Sequence, residues 1–123
     1  MQSKVLKIRI SEAERKAWWD RIVEFELPAH MAKAVRECVR MEIGYEVVDD
    51  KAWDKAYEFR LPEFPPAVLD VVNYPKPEVD IVVRVCEAEL NKWRIEKVKR
   101  QYSSMEKMII GIMRKALSVE PLA

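Results

Sequence analysis

The sequence predicts a mainly α-helical fold in which one small unit, strand–helix–turn–helix, is used twice. Three observations carry that prediction. The stretch "IRISEAERKAW" (8–18) is answered 75 positions later by "VRVCEAELNKW" (83–93), with Arg9, Glu12, Ala13, Glu14 and Trp18 recurring as Arg84, Glu87, Ala88, Glu89 and Trp93. Each copy is entered by a short run of alternating β-branched residues, a strand signal. Each copy is followed by two stretches with apolar residues at helical spacing. An internal repeat of this kind decides the fold before any single element does.

The first strand is expected over 4–10, "KVLKIRI", with Leu6, Ile8 and Ile10 on one face and Val5, Lys7 and Arg9 on the other. Ser11 and Glu14 then read as a capping box, in which the hydroxyl takes an orphan N–H and the carboxylate reaches back. A helix over roughly 12–26 follows, its stripe formed by Trp18, Ile22 and Phe25. "LPAHM" (27–31) breaks it, with Pro28 suited to a first helical turn, and Gly44 is placed to end the next helix.

The second copy repeats this order. The strand 79–85, "VDIVVRV", points Ile81, Val83 and Val85 inward and Asp80, Val82 and Arg84 outward. Cys86 stands where Ser11 stood, so the cap is weaker, though Glu89 is kept. A helix over roughly 87–101 carries Leu90, Trp93, Val98 and Tyr102, and Ser103 or Ser104 caps the last helix. The closing helices correspond at an offset of 74: Met31, Ala34, Val35, Cys38, Val39 and Ile43 match Met105, Met108, Ile109, Ile112, Met113 and Leu117.

Composition sets the frame. A chain of 123 residues, half apolar and about a third charged, is one domain or two very small units sharing a core. The longest apolar run, "MIIGIM" (108–113), is too short to cross a bilayer, and the opening lacks a signal peptide's hydrophobic segment. The expectation is an intracellular, cytoplasmic protein with no membrane association. The net charge of +1 conceals an asymmetry: residues 1–43 carry nine basic against seven acidic side chains, 44–79 four against eight, and 80–123 nine against six. Three units follow: a first copy over 1–44, an acidic, aromatic helical insert over 45–78, and a second copy over 79–123.

"LKIRISE" (6–12) with its helix pair, and "IVVRVCE" (81–87) with "YSSMEKMIIGIMRKAL" (102–117), resemble the ribbon-helix-helix family of DNA-binding proteins, the Arc and MetJ superfamily. The resemblance spans roughly 85 residues and omits the middle. A single unit of about 40 residues cannot bury enough surface to fold alone. In the family a second chain supplies the partner strand, which gives an antiparallel two-stranded ribbon over intertwined helices. The resemblance therefore implies an intramolecular pseudodimer in which strand 4–10 pairs with strand 79–85, either remaining a monomer or associating further.

The resemblance also implies function: sequence-specific binding of double-stranded DNA by a transcriptional regulator, with the ribbon in the major groove. Carried over by position, the base-contacting residues are Val5, Lys7, Arg9, Val82 and Arg84, arginine suiting a bidentate contact to guanine. Phosphate contacts at the N-termini of the second helices fall to Ser103, Ser104, Lys33 and Lys107. Asp80 and Val82 depart from that pattern, since phosphate repels a carboxylate in the groove.

The middle reads as two short helices, "DDKAWDKAYEFRL" (49–61) and "PPAVLDVV" (65–72), then a linker, "NYPKP" (73–77). Its aromatic residues, Trp53, Tyr57 and Phe59 among them, either cover an end of the core or form a docking surface for a protein partner. The second use makes the alternative function: a ribbon-helix-helix scaffold for protein–protein interaction, as in a viral or accessory factor.

No enzyme is expected. His30, the only histidine, has no nucleophile or carboxylate constellation, and Gly44 and Gly111 alone cannot build a phosphate loop. Cys38 lies on an apolar helical face and Cys86 at a helix start, with neither metal-ligand nor disulfide spacing. No catalytic residue, metal or cofactor is assigned. The basic stretch "RIEKVKRQY" (94–102) reads as a solvated face or a further phosphate contact.

Overall fold

The computed structural model describes residues 3–24, 31–43, 67–69 and 79–121. In chain order these form β1 (Ser3–Ile10), α1 (Glu12–Glu24), α2 (Met31–Ile43), β2 (Ala67–Leu69), β3 (Val79–Cys86), α3 (Glu87–Lys99), α4 (Met105–Leu117) and β4 (Val119–Pro121). The fold is mainly helical, with a two-stranded antiparallel sheet made by β1 and β3. No helix among the described residues is long and apolar enough to cross a membrane.

The alternating runs become strands because one face of each can be buried. Ile8, Ile10, Ile81, Val83 and Val85 are buried, while Val5, Lys7, Arg9, Asp80, Val82 and Arg84 are exposed. Full burial of one such aliphatic side chain stabilises by about 1.5–3 kcal/mol. A register shift by one residue would turn the apolar set to solvent, so that burial locks the pairing.

Each strand hands over to a helix at a cap. Ser11 Oγ accepts from the backbone N–H of Glu14 at 3.1 Å, as the capping box requires. Its other half is corrected, because the Glu14 carboxylate does not reach back but binds Arg114. Cys86 occupies the N-cap of α3 without a side-chain hydrogen bond, in keeping with the weaker cap. Trp18, Ile22, Leu90 and Trp93 are buried as the stripes predict. Val98 is not, being 70% exposed. The buried stripe of α3 runs through Leu90 and Trp93, and one more turn brings it to Lys97, about 100° around the helix from Val98. Among the described residues neither buried indole N–H, of Trp18 or Trp93, has a hydrogen-bond partner.

α3 closes through Gln101, at φ 61°, whose neighbour Tyr102 donates its N–H to the Lys97 carbonyl at 3.0 Å. This left-handed closure turns the chain within a few residues into α4, capped by Ser104. The stripes of α2 (Ala34, Val35, Cys38, Val39) and α4 (Met108, Ile109, Ile112, Met113, Leu117) are buried and meet each other. Burial pushes the Cys38 thiol up to about 12, so it stays protonated as a small apolar packing group. α2 packs beneath β3 and α4 beneath β1, so each helix supports the strand from the other end of the chain.

One expected helix is corrected. Within 65–72, Ala67–Leu69 form β2, which pairs in parallel with β4. A three-residue apolar run offers too little surface for an amphipathic helix, and its backbone is satisfied by a strand 52 residues downstream that no local pattern announces. The expected helix over 49–61, the linker 73–77, Pro28 and Gly44 lie outside the described residues.

Candidate nucleic-acid interface

The outward face of the ribbon is set by its register. Lys7 faces Val82, Val5 faces Arg84 and Arg9 faces Asp80. The Arg9 backbone N–H donates off the ribbon's edge to Glu106 Oε2 at 3.0 Å, so Arg9 and Asp80 form a non-hydrogen-bonded pair. Alternation then makes Lys7–Val82 and Val5–Arg84 pairs of the same kind, in which side chains approach more closely. Arg9 uses that proximity: its Nε donates to Asp80 Oδ1 at 2.9 Å. With side chains 68% and 38% exposed, this ion pair contributes at most about 1 kcal/mol to stability, but it holds the two groups together.

Arg84 stands differently. Its cross-strand neighbour is an exposed valine, and its guanidinium makes no hydrogen bond or ion pair with the described residues. Its backbone carbonyl accepts from Arg36 Nη1 at 3.2 Å, just as the opposite edge is served by Glu106. α2 and α4 therefore satisfy backbone groups on the two edges of the ribbon, while Val5, Lys7, Arg9, Asp80, Val82 and Arg84 on its outer face are exposed.

Beneath the ribbon the helices are tied to one another by two part-buried ion pairs. Arg114 Nε and Nη2 donate to Glu14 Oε2 and Oε1, both at 2.7 Å. Arg40 Nε and Nη2 donate to Glu89 Oε2 and Oε1 at 2.6 and 2.7 Å, and Arg40 Nη1 also reaches Glu37 Oε1 at 3.0 Å. The bonds to Glu89 raise the Arg40 guanidinium above its ordinary pKa, and those to Glu14 do the same for Arg114, both against burial. Sequence reasoning assigned Glu14 and Glu89 to caps and missed both arginines. The signal was present, because Glu14 and Glu89 sit at the 75-residue offset and Arg40 and Arg114 at the 74-residue offset.

The expected phosphate-contacting residues fall at both second-helix starts. Ser104 is the N-cap of α4 and its Oγ accepts from Lys107 N at 3.1 Å, which leaves the hydroxyl proton free to donate. Ser103, Lys107 and Lys33 are exposed. The first turn of α4 also carries Glu106, whereas the first turn of α2 carries no acid. Trp53, Tyr57 and Phe59, the expected partner surface, lie outside the described residues, as does His30. Among the described residues no cluster of His, Cys, Asp or Glu is placed to hold a metal ion.

Neither a family model, a curated protein nor a solved structure matches the chain.

Proposed function

We propose that the chain is an intramolecular ribbon-helix-helix pseudodimer that binds double-stranded DNA through the outer face of the β1–β3 ribbon and acts as a transcriptional regulator. One observation carries this reading: the register sets Lys7 opposite Val82, its counterpart 75 residues later. Arg9 and Arg84, also counterparts, then lie two residues to either side of that central pair. A pseudo-two-fold axis through the Lys7–Val82 pair follows, and it relates the two arginines across the ribbon.

The dimensions support a groove-reading role. Paired strands lie about 5 Å apart, so a two-stranded ribbon with its side chains enters a major groove about 12 Å wide. Three cations and one anion, Lys7, Arg9 and Arg84 against Asp80, face outward. Exposed Lys107 and Lys33 at the second-helix starts add charge where the ribbon's flanks meet the phosphate backbone.

The test is binding to duplex DNA by fluorescence anisotropy across a range of salt, with the Arg9→Ala/Arg84→Ala double variant alongside. Salt-dependent binding by the wild type, with sequence preference lost in the double variant, is the expected result. Preference that survives the double change removes the ribbon as the reading element. No binding at low salt leaves the protein-interaction scaffold, with residues 45–78 as its surface.

A further inference from the structure

We infer that Asp80 makes the DNA site directional: the Arg84 arm of the ribbon reads a guanine, and Asp80 withholds Arg9 from the equivalent contact in the other arm. This inference rests on the DNA-binding reading and says which bases that reading discriminates.

The two cross-strand pairs that carry the arginines differ in one residue. On one side Arg84 faces Val5; on the other Arg9 faces Asp80. Val5 and Asp80 are themselves counterparts at the 75-residue offset. An arginine reads guanine by presenting two N–H groups to O6 and N7. Among the described residues the Arg84 guanidinium has no partner, and an exposed valine stands beside it, which suits apolar contact with a thymine methyl. Arg9 donates Nε to Asp80 Oδ1 at 2.9 Å, which ties its guanidinium to the opposite strand.

In water this exposed ion pair is weak. In the groove two effects favour keeping it. Expulsion of water strengthens the attraction between the charges, and an Asp80 left without Arg9 would face the negative potential of the phosphates alone. The consequence is a site with one strongly specified flank and one tolerant flank, rather than an inverted repeat.

The experiment is selection of preferred duplexes from a random library by the wild type, by Asp80→Val and by Val5→Asp. Asp80→Val gives the Arg9 arm the same neighbour that Arg84 has; Val5→Asp gives Arg84 the neighbour that Arg9 has. Both positions are exposed, so neither change disturbs the core. The wild type is expected to select a non-palindromic site whose guanine preference on one flank is roughly tenfold or more. Asp80→Val is expected to extend that preference to both flanks as an inverted repeat, and Val5→Asp to abolish it.

A palindromic wild-type site, or an Asp80→Val site with the same single flank, overturns the inference while leaving DNA binding intact. Failure of both the wild type and Asp80→Val to bind duplex at low salt overturns the DNA-binding reading, and the inference with it.

Discussion

Arg114 and Glu14 lie 100 positions apart and meet through two N–H···O bonds of 2.7 Å each. Arg40 and Glu89 repeat that geometry 49 positions apart. In each pair the glutamate comes from the helix that follows a strand, and the arginine from the second helix at the other end of the chain. The two pairs cross-tie the fold.

Breaking them should be costly. Removing one partner of a buried pair leaves an uncompensated charge, at about 3–5 kcal/mol. Glu89→Gln is expected near the low end of that range, because Arg40 keeps Glu37 at 3.0 Å and its side chain is 15% exposed. Glu14→Gln should cost less, since Arg114, at 31%, can rehydrate. Urea unfolding of both variants measures this; equal losses, or losses within ordinary surface scatter, count against the cross-tie.

The vacant cap at Cys86 offers a gain. Ser11 caps α1 with a 3.1 Å bond, while Cys86 at the corresponding position makes none. Its backbone is extended, as an N-cap requires (φ −73°, ψ 160°). Cys86→Ser should therefore stabilise by about 0.5–1 kcal/mol, and Ser11→Ala should destabilise by about 1 kcal/mol. A shift of the unfolding midpoint in the same direction for both variants contradicts this.

Stability should also fall on the acid side through Glu42. Hydrogen bonding to Lys115 (Nζ–Oε1 2.7 Å) holds its carboxyl below the ordinary value, helped by Arg100 (Nη1–Oε1 3.2 Å) and opposed by burial. A folded-state pKa below the unfolded one contributes stability that is complete above the unfolded value, about 4.3 for a glutamate. That contribution is lost as pH falls through the lowered folded value. Glu42→Gln should be less stable than the wild type at pH 7, with the gap closing in strong acid. A gap that stays constant from pH 7 to pH 3 excludes the linkage.

Gly111 tests local packing. A Cβ there would stand 2.9 Å from Tyr102 Oη and 3.3 Å from its ring. Gly111→Ala should thus destabilise, although alanine is the better helix former by about 1 kcal/mol. In a Tyr102→Ala background the obstruction is gone and the same change should stabilise. The sign reversal is the readout; the same sign in both backgrounds refutes the contact.

Much of the fold was legible because its causes are local. Period-two alternation told which side chains of β1 and β3 face the core, since a strand has only two faces. Helical spacing found the stripes of α2 and α4, with Met31, Ile43 and Met105 at their ends only partly buried, because a 3.6-residue period and an apolar surface leave one buried face. The Ser11 cap was readable for the same reason, and the α4 cap to within one residue (Ser103 or Ser104), each being an interaction within four residues.

What escaped was long-range. Local spacing alone assigns Glu14 to Ser11's backbone; only the packing of α4 against α1 brings Arg114 within reach and wins the carboxylate. β2 could not be told from a helix, since its identity depends on β4. The pairing of Arg9 with Asp80 likewise needs the register, which joins residues 71 apart. The sequence by itself determined β1, β3 and the four helices, the buried faces of the two strands and the arginines on the outer face, because these follow from each residue's own neighbours. Only the tertiary structure decided which charges meet and which arginine has no partner among the described residues, because a charge binds whatever the fold brings within about 3 Å.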